Sequence, residues 1–209
     1  VKIDLGNSSS LKSACRGVDT IIHLVSPNSK ICEENPQKAL MTNGLGTLKL
    51  LNAAKTCSVK KFIYFSTIHI YGNFLKGNID ETVVPRPLSS YAITHRIAED
   101  YVLSYDQANF LNGCVLRLSN VIGAPLNKNC NGWDLVINDL CLQSVSNKTI
   151  KLKSTGVQKR NFLTIEYLLQ IINTLIVKSP KGSYRNIYNI GGETISIFEM
   201  AEAIVNRCN

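Results

Sequence analysis

Short apolar runs alternate with longer amphipathic stretches along the first part of the chain. Residues 19–25, 61–67 and 113–121 are rich in β-branched and aromatic side chains and show no regular polar alternation. Near-continuous hydrophobicity of this kind is typical of parallel strands that are covered on both faces. Residues 35–57 and 89–110 carry apolar side chains at spacings of three to five, which predicts helices. This alternation predicts a doubly wound parallel α/β sheet.

The character of the chain changes after residue 125, where polar stretches separate shorter elements. We predict two domains, a core over residues 1–125 and a smaller lobe over residues 126–209, with some segments of the lobe returning to the core. A polar lobe over the carboxyl ends of parallel strands is where such folds place a substrate. The elements predicted in the lobe are a short strand at 149–153 and helices near 133–145, 165–177 and 196–207.

Composition narrows the function classes. The net charge is +8, but the basic residues occur singly or in pairs and aromatic residues make up only 7%. This disfavours nucleic acid and leaves two interpretations of the charge, a small anionic substrate or a fragment whose acidic remainder is absent. The seven cysteines form no C-x-x-C pair, which is typical of reduced cytoplasmic proteins and disfavours a disulfide framework. No apolar run approaches the roughly 18 residues that span a membrane, and the three histidines lack neighbouring carboxylates at metal-ligand spacing.

Two hydroxyl residues follow the apolar run that ends at residue 67, and a tyrosine begins the next helix. Thr67 falls at the carboxyl edge of the predicted sheet, and Tyr91 falls in the first turn of the helix over 89–110. A phenol and a hydroxyl placed in this way can converge on one substrate oxygen, with the phenol moving the proton and the hydroxyl orienting the substrate. On spacing alone, the plainer interpretation, a capping hydroxyl and a core tyrosine, is favoured.

Six short segments occur in the order found in one large enzyme family. The chain resembles the extended short-chain dehydrogenase/reductase family, the NAD-dependent epimerases and dehydratases that include the nucleotide-sugar epimerases. The resemblance implies a Rossmann-like fold whose glycine-rich pyrophosphate segment lies ahead of Val1, so these residues alone are expected to bind the cofactor weakly. The matching segments are VDTIIHL at 18–24, NGLGTL at 43–48, YG at 71–72, LRLSNVIG at 116–123, KRNFL at 159–163 and YNIGG at 188–192.

The resemblance assigns roles to particular residues. Thr67 would polarise the substrate hydroxyl and Tyr91 would act as the acid and base. Asn120 and Arg160 would hold the substrate, because a planar guanidinium suits a diphosphate. The cofactor is implied to be NAD or NADP, with NAD favoured. The residues implied to contact the cofactor, besides Tyr91, are Asp4 and Leu5 at the adenine and Leu24, Val25 and Ser26 below the nicotinamide half.

One position departs from the family pattern in a way that affects the chemistry. The family has a lysine four residues after the tyrosine, where it binds the cofactor ribose and lowers the pKa of the phenol. Here the residue is His95, which takes the catalytic and cofactor-binding position. Either turnover is slow, or His95 is held protonated, or the protein is a non-catalytic relative. We favour a working enzyme.

The residues after Thr67 narrow the reaction. Dehydratases of the family have an Asp-Glu pair there, whereas this chain has Ile68 and His69, which disfavours loss of water. The leading hypothesis is epimerisation of a nucleotide sugar through a transient ketone. The alternatives are a reductase or dehydrogenase of another small carbonyl substrate and a non-catalytic NAD(P)-binding relative.

The resemblance also bears on assembly. The helices at about 36–57 and 89–110 correspond to those with which the family forms dimers. This correspondence favours a homodimer. Leu40, Ile97 and Tyr101 are the candidates for an apolar second face of these helices.

Overall fold

The computed structural model describes residues 3–73, 77–127, 129, 131–178 and 186–208, the side chain of Asn131 excepted. The chain divides into two compact units. The first contains Val1–Leu118 and Ser179–Asn189, and the second contains Ser119–Lys178 and Ile190–Asn209. None of the helices in the described ranges has both the length and the apolarity needed to cross a bilayer.

The strands within the described residues form two sheets. One sheet has the order β1-β2-β3-β6, and the other has the order β4-β5-β7. In the first sheet β1, β2 and β3 run parallel, as the sequence predicts for a doubly wound fold. The strands are β1 (Thr20–His23), β2 (Lys61–Thr67), β3 (Asn112–Leu118), β4 (Asn120–Ile122), β5 (Lys159–Thr164), β6 (Ile187–Ile190) and β7 (Glu193–Ser196).

Helices connect the strands, and the predicted amphipathic stretches are all helical. The stretch predicted at 35–57 contains a π-helical segment, Leu40–Gly46, between two α-helices, while the stretches near 89–110, 165–177 and 196–207 each form one α-helix. The α-helices are α1 (Ser8–Cys15), α2 (Ser29–Glu34), α3 (Pro36–Ala39), α4 (Thr47–Thr56), α5 (Ser90–Gln107), α6 (Val136–Asn147), α7 (Ile165–Val177) and α8 (Ile197–Cys208).

The core of the first unit lies between its sheet and its helices. Strand β2 is buried at six of its seven positions, which explains why its sequence is apolar without alternation. Leu51 of α4 and Val102 of α5 are fully buried in the same cluster as Phe62 and Tyr64 of β2. This packing fixes the end of β2 and the start of α5, and those two places carry the predicted catalytic residues.

Two predictions of strands were wrong in detail. Residues 149–153 form no strand, because Ile150 and Leu152 pack against the apolar cluster of the second unit without pairing to a neighbouring backbone. The strand in this region is instead β5, which pairs with β4 and β7. The single strand predicted at 113–121 is divided at Ser119, so that β3 and β4 belong to different sheets.

Candidate active site

The structure brings the Thr67 and Tyr91 side chains together within the first unit. Thr67 ends β2, is 5% exposed, and caps the following turn by accepting a 3.2 Å hydrogen bond from the backbone N–H of His69. Tyr91 lies in the first turn of α5, which begins at the capping residue Ser89. The Thr67 hydroxyl lies close enough to the Tyr91 phenol to lower the pKa of that phenol. A phenol and a hydroxyl therefore meet at the carboxyl edge of the sheet.

The surroundings of Tyr91 favour its neutral form. Burial and the nearby Cys32 thiol raise the pKa of the phenol, and the interaction with the Thr67 side chain opposes them only in part. The Tyr91 ring also makes edge contacts with two imidazoles, His95 at 4.5 Å and His69 at 6.3 Å between ring centroids. At neutral pH the phenol is therefore a proton donor, and removing its proton needs additional stabilisation of the phenolate.

His95 is a buried, neutral ring one turn along α5 from Tyr91. It is 3% exposed, and its Nδ1 lies 2.7 Å from the Tyr64 hydroxyl. Burial, followed by repulsion from His23 and His69, lowers the pKa of His95 to about 4. Of the three alternatives that the sequence leaves open for His95, a ring held protonated is therefore disfavoured.

The second nitrogen of His95 bears on cofactor binding. Nε2 is buried and has no hydrogen-bond partner among the described residues. Buried polar atoms are nearly always paired, so an unpaired one beside Tyr91 fits a site that receives a polar ligand group. A ribose hydroxyl is one such group, and His95 is accordingly compatible with an NAD(P) site.

A buried ion pair that sequence reasoning missed braces the turn after Thr67. Arg117 of β3 donates from Nη2 and Nε to the Glu99 carboxylate at 2.9 and 3.1 Å. Its Nη1 donates to the Tyr71 hydroxyl at 2.7 Å, and that hydroxyl donates to Asn189 Oδ1 at 2.8 Å. One signal could have revealed this network, since a lone arginine inside an apolar strand predicts a buried partner.

The residues predicted to contact the cofactor follow β1 and lie near the start of the chain. Leu24 and Val25 come directly after β1, at the sheet edge where open α/β folds bind ligands, and they are 58% and 52% exposed. Ser26 donates its hydroxyl to the Pro27 carbonyl at 2.8 Å. Asp4 closes a turn by accepting from the Gly6 N–H at 2.7 Å, and Leu5 packs partly buried against the core. Their contacts with a cofactor stay predictions.

The residues predicted to bind substrate lie in the second unit. Asn120 of β4 donates from Nδ2 to the Asn161 carbonyl at 2.9 Å, a bond that joins β4 to β5. Arg160 is exposed on β5. The neighbouring Asn161 bonds to the backbone of Gly192 through both the nitrogen and the oxygen of its side-chain amide. Substrate binding by Asn120 and Arg160 stays a prediction.

Comparison with known proteins places the chain in a family. Residues 1–191 match the model of the NAD dependent epimerase/dehydratase family. The chain is 31% identical over 164 residues to dTDP-D-glucose 4,6-dehydratase from Mus musculus, which covers 78% of the chain and 44% of that protein. It is 30% identical over 208 residues to UDP-glucuronate 4-epimerase from Thermodesulfobacterium geofontis, covering 97% of the chain and 62% of that protein. The chain thus spans less than two thirds of either relative.

Solved structures support the same fold. The structure of RMD from Pseudomonas aeruginosa complexed with NADPH superposes with a TM-score of 0.87 at 24% identity, covering all of this chain and 71% of that one. UDP-glucose 4-epimerase from Thermotoga maritima with UDP-glucose superposes with a TM-score of 0.85 at 22% identity, covering 99% of this chain and 67% of that one. With a family match over most of its length and a Rossmann-like sheet of the same kind, this chain belongs to the NAD dependent epimerase/dehydratase family.

Proposed function

We propose that the protein is an NAD(P)-dependent epimerase that acts on a nucleotide sugar through a transient keto intermediate. The observation that carries the proposal is that the Tyr91 phenol meets the Thr67 hydroxyl at the carboxyl end of β2, where Thr67 lowers the pKa of the phenol. In an open α/β sheet, ligands bind at this edge. The relatives named UDP-glucuronate 4-epimerase and UDP-glucose 4-epimerase point to the same class of substrate.

The two hydroxyls divide the proton transfer between them. When bound, NAD(P) would supply the hydride chemistry, and epimerisation requires that the hydride return to the opposite face of the sugar carbon. Thr67 orients the sugar hydroxyl, and the Tyr91 phenolate takes its proton as the ketone forms and gives the proton back when the alcohol is restored. Loss of one such general acid–base group typically costs about 10²- to 10⁴-fold in rate.

The cofactor is proposed to lie along residues of the first unit. Leu24, Val25 and Ser26 would pass below its nicotinamide half, with Asp4 and Leu5 at the adenine. The unpaired Nε2 of His95 would bond to a ribose hydroxyl. NAD is favoured over NADP, as the resemblance implies.

His95 changes the energetics of the proposed reaction. A lysine at this position would place a positive charge beside the phenol, whereas His95 has a pKa of about 4 and is neutral at pH 7. No cation at that position therefore stabilises the Tyr91 phenolate. For each unit by which the pKa of the phenol stays higher as a result, forming the phenolate base costs about 1.4 kcal/mol more. We expect slow turnover that rises with pH.

A non-catalytic NAD(P)-binding relative is the second candidate, and the neutral His95 is the observation that favours it. Loss of water is a separate question, because relatives named dTDP-D-glucose 4,6-dehydratase also match this chain. Ile68 and His69 take the positions of the dehydratase carboxylates, which argues for epimerisation. Arg160 and Asn120 would bind the diphosphate and sugar in either reaction.

The product identifies the reaction. The protein expressed from its complete reading frame is incubated with NAD and with UDP- and dTDP-hexoses, and the products are followed by NMR and mass spectrometry. An epimer of unchanged mass supports the proposal, and a product lighter by one water indicates a dehydratase. Stoichiometric NADH indicates a dehydrogenase, and NADH binding without any product indicates the non-catalytic relative.

Variants tie the activity to the proposed residues. Tyr91→Phe is expected to lower the rate about 10²- to 10⁴-fold without changing the fold. The matched control is Tyr105→Phe. Tyr105 lies near the other end of α5, and its hydroxyl donates to Asn52 at 2.7 Å. Activity that survives Tyr91→Phe would refute the assignment of Tyr91 as the acid and base.

A homodimer forms the last part of the proposal. Leu40 and Tyr101 are 46% and 38% exposed, and Ile97 is half-buried near them on α5. Exposed apolar residues on two helices are typical of an interface. Light scattering on the wild-type protein and on Tyr101→Asp would test it, and a wild-type monomer at micromolar concentration would refute it.

A further inference from the structure

Tyr64 is a buried phenol that the proposed reaction does not use. It lies in the middle of β2, is 1% exposed, and its hydroxyl is 2.7 Å from His95 Nδ1. Its ring also stacks at a tilt against His23. Among the described residues the Tyr64 hydroxyl has no second hydrogen-bond partner, so its single bond determines where the proton of His95 resides.

The two neutral forms of His95 leave different numbers of buried groups unpaired. With the proton on Nδ1, the Tyr64 oxygen accepts it, and both the Tyr64 O–H and Nε2 remain without a protein partner. With the proton on Nε2, Nδ1 accepts the Tyr64 O–H, and only the Nε2–H remains unpaired. Each form leaves one buried donor unpaired, but the first leaves the Nε2 acceptor unpaired as well, so the second form is favoured.

Both groups have the protonation state that this arrangement needs. Burial, with smaller contributions from Glu99 and Tyr91, raises the pKa of Tyr64 well above its usual value, so its hydroxyl keeps a proton to donate. The low pKa of His95 keeps the ring neutral at physiological pH. The ring therefore has one proton to place and one partner that decides its position.

We propose that Tyr64 is a positioning residue that holds neutral His95 with its proton on Nε2, so that His95 offers an N–H donor to a ligand hydroxyl beside Tyr91. The inference rests on the proposed function to the extent that this hydroxyl belongs to the cofactor's ribose. It explains how a histidine can take the place of a lysine here. A lysine carries its own donors, whereas a histidine needs a neighbour to fix which nitrogen donates.

The first test reads the proton directly in the ligand-free protein. The full-length protein is labelled with ¹⁵N-histidine, and long-range ¹H–¹⁵N correlation spectra are recorded at pH 7, with His95→Phe to assign the resonances. We expect a protonated Nε2 and an unprotonated Nδ1 that accepts a hydrogen bond. A proton on Nδ1, or on both nitrogens, would overturn the proposal.

The second test removes the Tyr64 hydroxyl. Tyr64→Phe is expected to broaden or shift the His95 signals and to weaken NADH binding about three- to tenfold, which is the effect of one misplaced hydrogen bond. Tyr105→Phe should leave both unchanged. Unaltered His95 signals and NADH affinity in Tyr64→Phe would contradict the proposal, and if this variant does not fold, the wild-type spectra decide.

The outcomes separate this inference from the proposed function. Protein that shows the expected His95 form and loses NADH affinity in Tyr64→Phe, but makes no product from any sugar nucleotide, supports Tyr64 as a positioning residue and refutes the epimerase. Protein that epimerises a sugar and depends on Tyr91, but carries the His95 proton on Nδ1, refutes only the role of Tyr64.

Discussion

Replacing Glu99 with glutamine should destabilise the protein strongly, because it removes the counter-charge of a buried arginine. Glu99 and Arg117 are 0% and 1% exposed, and the carboxylate accepts from both Nε and Nη2 of the guanidinium. Glutamine keeps one acceptor oxygen, but it carries no negative charge and presents an N–H₂ donor group to the arginine where glutamate has its second oxygen. Removing one partner of a buried pair costs about 3–5 kcal/mol. Since Tyr71 still accepts from Nη1, we expect the lower end, about 3 kcal/mol.

Urea unfolding at pH 7 measures this loss as a lower midpoint with an unchanged slope. The double variant Glu99→Leu/Arg117→Met should lose less than Glu99→Gln, because it leaves no unpaired charge. Asp19→Asn is the surface control, since Asp19 pairs with Lys60 at 2.8 Å in solvent, and its effect should be close to zero. A Glu99→Gln protein that unfolds at the wild-type midpoint would refute the reasoning that the charge of Arg117 depends on Glu99.

Three further predictions concern the buried histidines and a close backbone contact. His95→Lys should place a cation beside Tyr91 and so lower the pKa of the phenol. The rising limb of the pH–rate profile should then move to lower pH, and a limb that does not move would contradict this prediction. His23 and His95 have folded-state pKa values of about 4, below the usual 6.5. Each neutral, buried histidine therefore contributes about 3 kcal/mol to the free energy of unfolding above pH 6.5, and this contribution is lost as the pH falls toward 4. The urea midpoint of the wild-type protein should fall over that pH range, and the midpoint of His23→Gln should fall less. Gly192→Ala should destabilise the second unit by at least about 1–3 kcal/mol in thermal unfolding, because a Cβ there would overlap the Phe162 carbonyl oxygen; an unchanged melting temperature would contradict the packing.

The sequence predicted the elements whose patterns are set locally. Strand β2 was predicted with its observed bounds because the residues after Lys61 are apolar or aromatic on both faces and end in two small hydroxyl residues. The strand at 149–153 was predicted wrongly because alternating polarity shows that one face is buried, but does not show whether a neighbouring strand is present. The π-helical segment of residues 40–46 has the same apolar spacing as an α-helix and left no separate signal.

The candidate site was predictable to a similar extent. Thr67 and Tyr91 could be paired because each lies at the end of an element on the same edge of the sheet. The partner of His95 could not be predicted, because Tyr64 lies on another element and only the packing of α5 on β2 brings the two rings together. The same limit applies to Glu99 and Arg117, which lie on α5 and β3.

The π-helical segment determines how the long helical stretch before β2 tolerates change. Each residue of a helix turns the chain by about 100°, and a π-helical bond skips one residue more than an α-helical bond. The segment therefore contains a surplus residue that sets the phase between α3 and α4, with Leu40 and Met41 outward and Leu51 inward. Loss or gain of one residue here would turn α3 by about 100° relative to α4. It would move the buried Ala39 and Asn43 together with the exposed Leu40 and Met41, so we expect this stretch to accept substitutions of its outward residues far more readily than a change of length.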